Sequence, residues 1–239
     1  MKKLFAIFQW ILFATLLIVL LVFTNHRQSA QKMRLNKILI ESSSDGFVNR
    51  QIVLDYLYAK LAGFDSALII DHSLAEIENI LSAHPSIKDV EVFASQKGEV
   101  NIIVEQKKAI VRVKTNYEDY YLDEFGNRME LSNTYTPKLV VATGSVSPKN
   151  HEDIYDFINE INKSDFWRSQ ITQIHFDNDD ILLVPRVGVH KINIGSFEKI
   201  ADKLDNLYQF YRYAINIKGW QYYTNINLKF NNQIVCTKK

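Results

Sequence analysis

The sequence predicts an α+β protein in three parts: a single apolar N-terminal helix, a small strand-helix-helix-strand-strand domain, and a mixed β domain carrying two or more helices. Three observations predict it. Residues 4–23 form an uncharged apolar run. Residues 37–107 pass from strand to helical periodicity and back again, and beyond Lys107-Lys108 short alternating stretches dominate, with two amphipathic helical patterns among them.

The first part, Leu4 to Phe23, reads LFAIFQWILFATLLIVLLVF, with only Gln9 and Thr15 as polar interruptions. At about 1.5 Å per residue such a helix spans roughly 30 Å, the hydrocarbon thickness of a bilayer. The run exceeds the apolar stretch of a cleavable signal peptide, and no small-residue cleavage site follows it. A retained transmembrane helix is therefore expected. Lys2 and Lys3 precede it, while Arg27, Lys32, Arg34 and Lys37 follow, so flanking charge leaves its orientation open. A head of residues 1–3 forms no domain, which puts the folded mass on the C-terminal side, after a polar linker at residues 24–36.

The second part spans residues 37–107. Lys37 to Glu41 reads as a strand and Ser42 to Gly46 as a turn. Asn49 is placed to cap a helix whose stripe is Val53, Tyr56, Leu57 and Leu61. Ser73 opens a second helix, with Glu76 completing a capping box and Pro85 ending it. Val90 to Phe93 and Val100 to Glu105 then form a hairpin through Gln96-Lys97-Gly98. Two helices on one face of a three-stranded sheet would bury the apolar sides of all five elements.

In the third part, residues 108–239, strands are expected at Ile110–Lys114, Tyr120–Leu122, Lys138–Ala142, Ile171–Phe176, Ile181–Val184, Val189–Ile194 and Ile226–Phe230. One helix carries Ile154, Phe157, Ile158 and Ile161 in register. A longer one carries Phe197, Ile200, Ala201, Leu204, Leu207, Tyr208 and Tyr211, so that two of the four aromatic residues at 208–213 belong to a core-facing stripe.

The composition excludes some function classes. Twenty-eight Lys and Arg balance 27 Asp and Glu, without the basic excess that nucleic-acid binding favours. Cys236 is the only cysteine, so no internal disulfide can form. The six histidines lack metal-ligand spacing, and no metal site or cofactor is expected. Asp177 to Asp180 resembles the start of a calcium loop but has Leu182 and Gly188 where glycine and glutamate are required, which leaves a solvated turn. His151-Glu152-Asp153 suits a helix start, where carboxylates complement the dipole. No nucleophile, base and orienting group can be identified together, and no catalytic residue is assigned.

A partner signal is clearer. Asn225 to Phe230 alternates polar and apolar residues without a slip, the pattern of a strand with one buried face. Near the end of the sequence it suits an edge strand, whose open backbone groups a partner's strand can pair with. An ordinary core strand is the alternative.

With these residues in view, the chain resembles the bacterial cell-division family FtsQ (DivIB), in its Bacteroidetes-like form. The resemblance runs through Val104-Glu105-Gln106-Lys107, Tyr120 to Gly126, Tyr135 to Gly144, Ile192 to Gly195, Lys203-Leu204, Ile226 to Phe230 and Gln233 to Cys236, in order. The family commonly has proline after the basic pair at 107–108, where this chain has Ala109, so the domain junction is less rigidly specified.

The resemblance implies that residues 37–107 are a POTRA domain and that the chain is an N-in, single-pass protein of the cytoplasmic membrane. Its bulk would lie in the periplasm, at the division septum. The implied work is non-enzymatic: a divisome scaffold that binds the bitopic partners FtsB and FtsL and links early division proteins to septal peptidoglycan synthesis. Partner docking is implied at the last strands, with Lys229 and Phe230 at the family's basic and aromatic positions and Ile226, Leu228, Gln233 and Ile234 around them. A membrane-anchored envelope enzyme, or a POTRA-type chaperone or transport component, stands as the alternative.

Overall fold

The computed structural model describes residues 10, 12–20, 33–41, 46–66, 69, 72–177, 180–231 and 233–239. Trp10 and residues 12–20 are helical. Within that segment the Thr15 hydroxyl donates to the Leu12 carbonyl at 2.9 Å, so its polar group is satisfied inside the helix. Among the described residues no helix is long and apolar enough to cross a membrane. The expected anchor's other residues, 4–9, 11 and 21–23, lie outside the described residues, as do the linker to residue 32 and the turn at 42–45.

Two compact units follow from the packing: Met1–Glu41 with Val48–Glu105, and Ser42–Phe47 with Gln106–Lys239. The first contains β1 (Arg34–Glu41), α1 (Arg50–Lys60), α2 (Leu74–Ser82), β2 (Ile87–Ala94) and β3 (Glu99–Gln106). Its sheet runs β1-β3-β2, with β1 parallel to the central β3. Alternation along β3 buries Val100, Ile102 and Val104, while α1 contributes Val53 and Leu57 and α2 contributes Ile77 and Leu81. Asn49 Oδ1 accepts from the Ile52 amide at 3.0 Å and Ser73 Oγ from the Glu76 amide at 3.1 Å, the two expected caps. The Glu76 carboxylate, expected to close a capping box, sits 3.3 Å from His72 Nδ1 instead. β1 starts earlier than Lys37, because a register shift between Leu35 and Lys37 lets pairing continue where the alternation breaks.

The second unit holds a nine-stranded mixed sheet. Its strands are β4 (Ala109–Lys114), β5 (Asp119–Asp123), β6 (Arg128–Met129), β7 (Val140–Gly144), β8 (Ile171–Asp177), β9 (Asp180–Pro185), β10 (Lys191–Gly195), β11 (Tyr223–Asn227) and β12 (Val235–Lys238). They lie in the order β12-β11-β10-β9-β8-β7-β4-β5-β6. β7 and β8 are parallel, as are β10 and β11, and parallel neighbours need a crossover. The first crossover is α3 (His151–Asn162) with α4 (Asp165–Gln170). The second is α5 (Ile200–Phe210), continued by a π-helical turn (Tyr211–Ile215) and a last turn (Asn216–Lys218).

One core joins these layers. Ile154, Phe157, Ile158 and Ile161 of α3 and Leu204, Leu207 and Tyr211 of the second crossover pack on Val111, Ala142, Ile174, Leu183, Ile192 and Ile226 of the sheet. At the far end Phe47 stands edge-on to Tyr121, with ring centroids 5.6 Å apart, and to Tyr135 at 5.1 Å.

Several expected bounds move. The strand at 138–142 starts at Val140, and the one at 189–194 is Lys191–Gly195, because Val189 and His190 belong to the preceding turn. The strand at 226–230 is Tyr223–Asn227: at Leu228 and beyond the chain leaves the ladder to turn into β12. α4, β6 and β12 have no counterpart among the expected elements, each being too short for periodicity to register.

Candidate functional site at the free sheet edge

The nine-stranded sheet has two ends, β6 and β12. Among the described residues β12 pairs on one side only, antiparallel to β11 from Val235↔Asn227 to Lys238↔Tyr223. β11 itself is flanked on both sides, by β10 and β12. The alternating strand is therefore interior, and the edge is the strand after it.

Two of the six residues singled out for partner binding are core. Ile226 is buried and paired with Ile192 and Cys236, and Leu228 is buried with its amide donating to the Asn193 carbonyl at 2.8 Å. The other four lie at the surface of the β11–β12 connection. Phe230 is 52% exposed, Gln233 is exposed and Ile234 is half-buried against the core. Lys229 is exposed along part of its length, but its ammonium is committed: Nζ lies 3.1 Å from both carboxylate oxygens of Asp180, at the start of β9. Asn193 Nδ2 donates to the same carboxylate at 2.8 Å. These two hydrogen bonds, from Asn193 and from Lys229, hold the Asp180 carboxyl below its usual pKa.

Gly195 makes this arrangement possible. At φ +68° it ends β10, and a Cβ there would meet Lys229 Cγ at 2.8 Å and Cδ at 2.9 Å. The lysine stem thus crosses bare backbone on its way to Asp180.

Beside the edge lies a cleft of about 230 Å³ between the 228–234 segment and α5. α5 and the residue before it supply Lys199, Lys203 and Asn206; the connection supplies Leu228, Phe230 and Ile234. The Lys203 ammonium donates to the carbonyls of Ile194 at 2.7 Å and Ser196 at 2.8 Å, satisfying acceptors on either side of the end of β10, and burial lowers its pKa. Lys199, at the rim, holds φ 53°, the left-handed region that only glycine enters cheaply. Cys236, half-buried in β12, has its thiol pKa raised by burial, so it stays a thiol at neutral pH. A mixed cleft, with Leu228, Phe230 and Ile234 beside Lys199, Asp202 and Asn206, next to an open strand edge is equipped to hold an extended peptide, by backbone pairing along β12 and side-chain capture in the cleft.

The sequence pattern missed β12, Lys199, Lys203 and the Asp180–Lys229 pair. Gly195 at the end of an alternating strand was the available signal for a close approach. Among the described residues no group of three His, Cys, Asp or Glu is placed to hold a metal ion.

Residues 108–237 match the sequence family described as FtsQ/DivIB, C-terminal related. The chain belongs to this family. Membership in the FtsQ/DivIB-related group ties the chain to cell division, in a family of proteins that are generally not enzymes. Among solved structures, the chain is similar to the major extracytoplasmic domain of the trans isomer of the bacterial cell-division protein DivIB from Geobacillus stearothermophilus. Identity is 13% and the TM-score 0.33, over 46% of this chain and 95% of that one. No curated protein matches the chain.

Proposed function

We propose that this protein is a non-enzymatic divisome scaffold, fixed to the cytoplasmic membrane by residues 4–23, that recruits small bitopic division proteins of the FtsB and FtsL kind through β12. The observation that carries the reading is the open outer side of β12 beside the exposed ring of Phe230. A partner strand added there would complete hydrogen bonds that β12 leaves to solvent, and a side chain of that strand would enter the cleft under α5. Lys229, its ammonium held by Asp180, would offer its aliphatic stem beside Phe230, and Gln233 and Ile234 would line the approach.

In this reading residues 37–107 act as a POTRA domain and residues 108–239 as the partner-binding β domain. The N-terminus faces the cytoplasm, the bulk lies in the periplasm, and the protein works at the septum. The apolar surface of residues 12–20, with the Thr15 hydroxyl satisfied internally, supports the membrane anchor.

The test is capture of a tagged FtsB-like partner, with its FtsL-like companion, by the full chain in detergent. Phe230→Glu is expected to reduce capture at least tenfold while the melting temperature stays unchanged, since the ring is exposed. Full capture by that variant would overturn the docking site.

A further inference from the structure

We infer that the end of the large sheet opposite Lys229 is a contact surface for an anionic lipid bilayer. It is formed by the β9–β10 turn, the helical turns after α5, and the start of β11 with the end of β12. The inference rests on the chain being held at a membrane, and is independent of the β12 docking site.

The pairing places these segments together. β9 ends at Pro185 where β10 begins at Lys191; β11 runs parallel to β10, and β12 returns antiparallel, ending at Lys238. β8 starts at this same end, and so does β4, which runs parallel through β7 to β8; Gln106, where the chain enters this unit, therefore lies toward that end of the sheet. Local contacts knit the end together. His190 Nε2 is 2.7 Å from the Tyr211 hydroxyl and its ring stacks on Trp220, while the Lys239 amide donates to the Tyr222 carbonyl at 3.0 Å.

Its surface combines two features. Large apolar side chains point out of it: Ile217 is 80% exposed, Tyr213 65%, Val189 57% and Val187 44%. Cations surround them, namely Arg186 and Lys191 flanking the turn, Arg212 and Lys218 on the helical turns, and Lys238 at the end of β12. Residues 185–191, 206–223 and 235–239, the segments at this end, contain six Lys or Arg and no Asp or Glu, in a chain whose net charge is only +1. None of the five cations just named is in an ion pair among the described residues, whereas Asp165 of α4 is paired with Arg168.

The π-helical turn contributes to this display. It buries Tyr211 and Ile215 while Tyr213 and Ile217 stand outward. Protruding apolar tips in a cationic ring suit the interface of an anionic membrane: the apolar groups enter the headgroup boundary, and the cations, on flexible stems, meet lipid phosphates. An acidic protein would satisfy the charges but would leave projecting tips such as Ile217 in search of a complementary hollow. The bilayer accepts them without one.

The experiment uses the full chain in lipid nanodiscs. In a Cys236→Ser background, Ile217→Cys carries an environment-sensitive fluorophore, and the acyl chains are brominated as quenchers. In discs with about a third phosphatidylglycerol, fluorescence is expected to fall at least twofold; in phosphatidylcholine discs it stays near its unquenched level. The same label on Tyr117→Cys, in the turn at the opposite end of β4, stays unquenched in both. Arg212→Glu with Lys218→Glu abolishes the quenching, and Arg212→Lys with Lys218→Arg restores it. Co-elution with phosphatidylcholine discs reads the anchor separately. An unquenched Ile217 label on a chain that does co-elute overturns the membrane contact alone, including the case in which an acidic protein is later found to shield the label. Co-elution with anionic discs only would retain the contact and overturn the anchor.

Discussion

The two ends of the nine-stranded sheet solve the edge-strand problem in opposite ways. At one end β6 is two residues long, its Met129 is buried, and its Arg128 is occupied on several sides. The guanidinium lies 4.2 Å from the Tyr120 ring centroid and donates to Glu118 at 2.8 Å, while the Tyr120 hydroxyl meets His151 Nε2 at 2.7 Å. At the other end β12 is four residues long and mostly exposed, and the segment that leads into it lines a cleft against α5. A short, charged strand offers a neighbour little to pair with; a longer one beside a cleft offers both hydrogen bonds and a pocket. The sheet thus has one short, occupied edge and one open edge, and the proposed pairing falls on the open one.

The largest expected effect that sharpens this contrast is Leu228→Ala. Leu228 is buried beneath the connection to β12, so its truncation is expected to cost about 2–5 kcal/mol in denaturant unfolding. Amide exchange should rise first in β12 while β6 keeps its protection; equal loosening of both ends would break the comparison. Next is Gly195→Ala. A side chain at φ +68° costs about 1–2 kcal/mol and displaces the Lys229 stem. Partner capture should fall together with the melting temperature, whereas Phe230→Glu affects capture alone.

Arg128→Ala at the closed edge is expected to cost about 1 kcal/mol, from the lost cation–π contact and partly exposed ion pair, with capture unchanged. The smallest effect is one of pH. Burial, first among the causes, lowers the pKa of His151 near the closed edge and of His190 in the β9–β10 turn. The unfolded chain therefore binds protons that the folded form excludes. Stability contributed by these histidines is full above about pH 6.5 and declines as pH falls below it. Asp180 at the open edge has a lowered pKa, so its contribution persists until pH falls below about 4. A histidine-to-glutamine pair at 151 and 190 should shrink the fall in melting temperature between pH 7 and 5, with the remainder due to His84, whose pKa burial also lowers, and leave the acid limb below pH 4 in place.

Much of the fold was legible along the chain because it is written in local periodicity. The stripes of α1, α2 and α3, the caps at Asn49 and Ser73, and the alternation of β3, β4 and β11 each reflect a side chain's need to face one way. The edge was not legible. β11 has the stronger alternation because it is interior, with Ile226 packed in the core; β12 has little pattern because it buries little. Alternation reports burial, and an exposed edge is defined by what fails to pair with it. The Asp180–Lys229 pair joins residues far apart in sequence, and nothing local to either residue announces it.

The sequence by itself determined the composition limits, the apolar run at residues 4–23, the order of most helices and strands, and the family. These depend on interactions within a few residues, or on residue order alone. Only the tertiary structure decided which strand is free, that Lys229 is held by Asp180 across Gly195, and that Arg186, Lys191, Arg212, Lys218 and Lys238 gather at one end of the sheet around exposed apolar side chains. Each of those follows from strand pairing between distant segments, and pairing partners are chosen by the whole core.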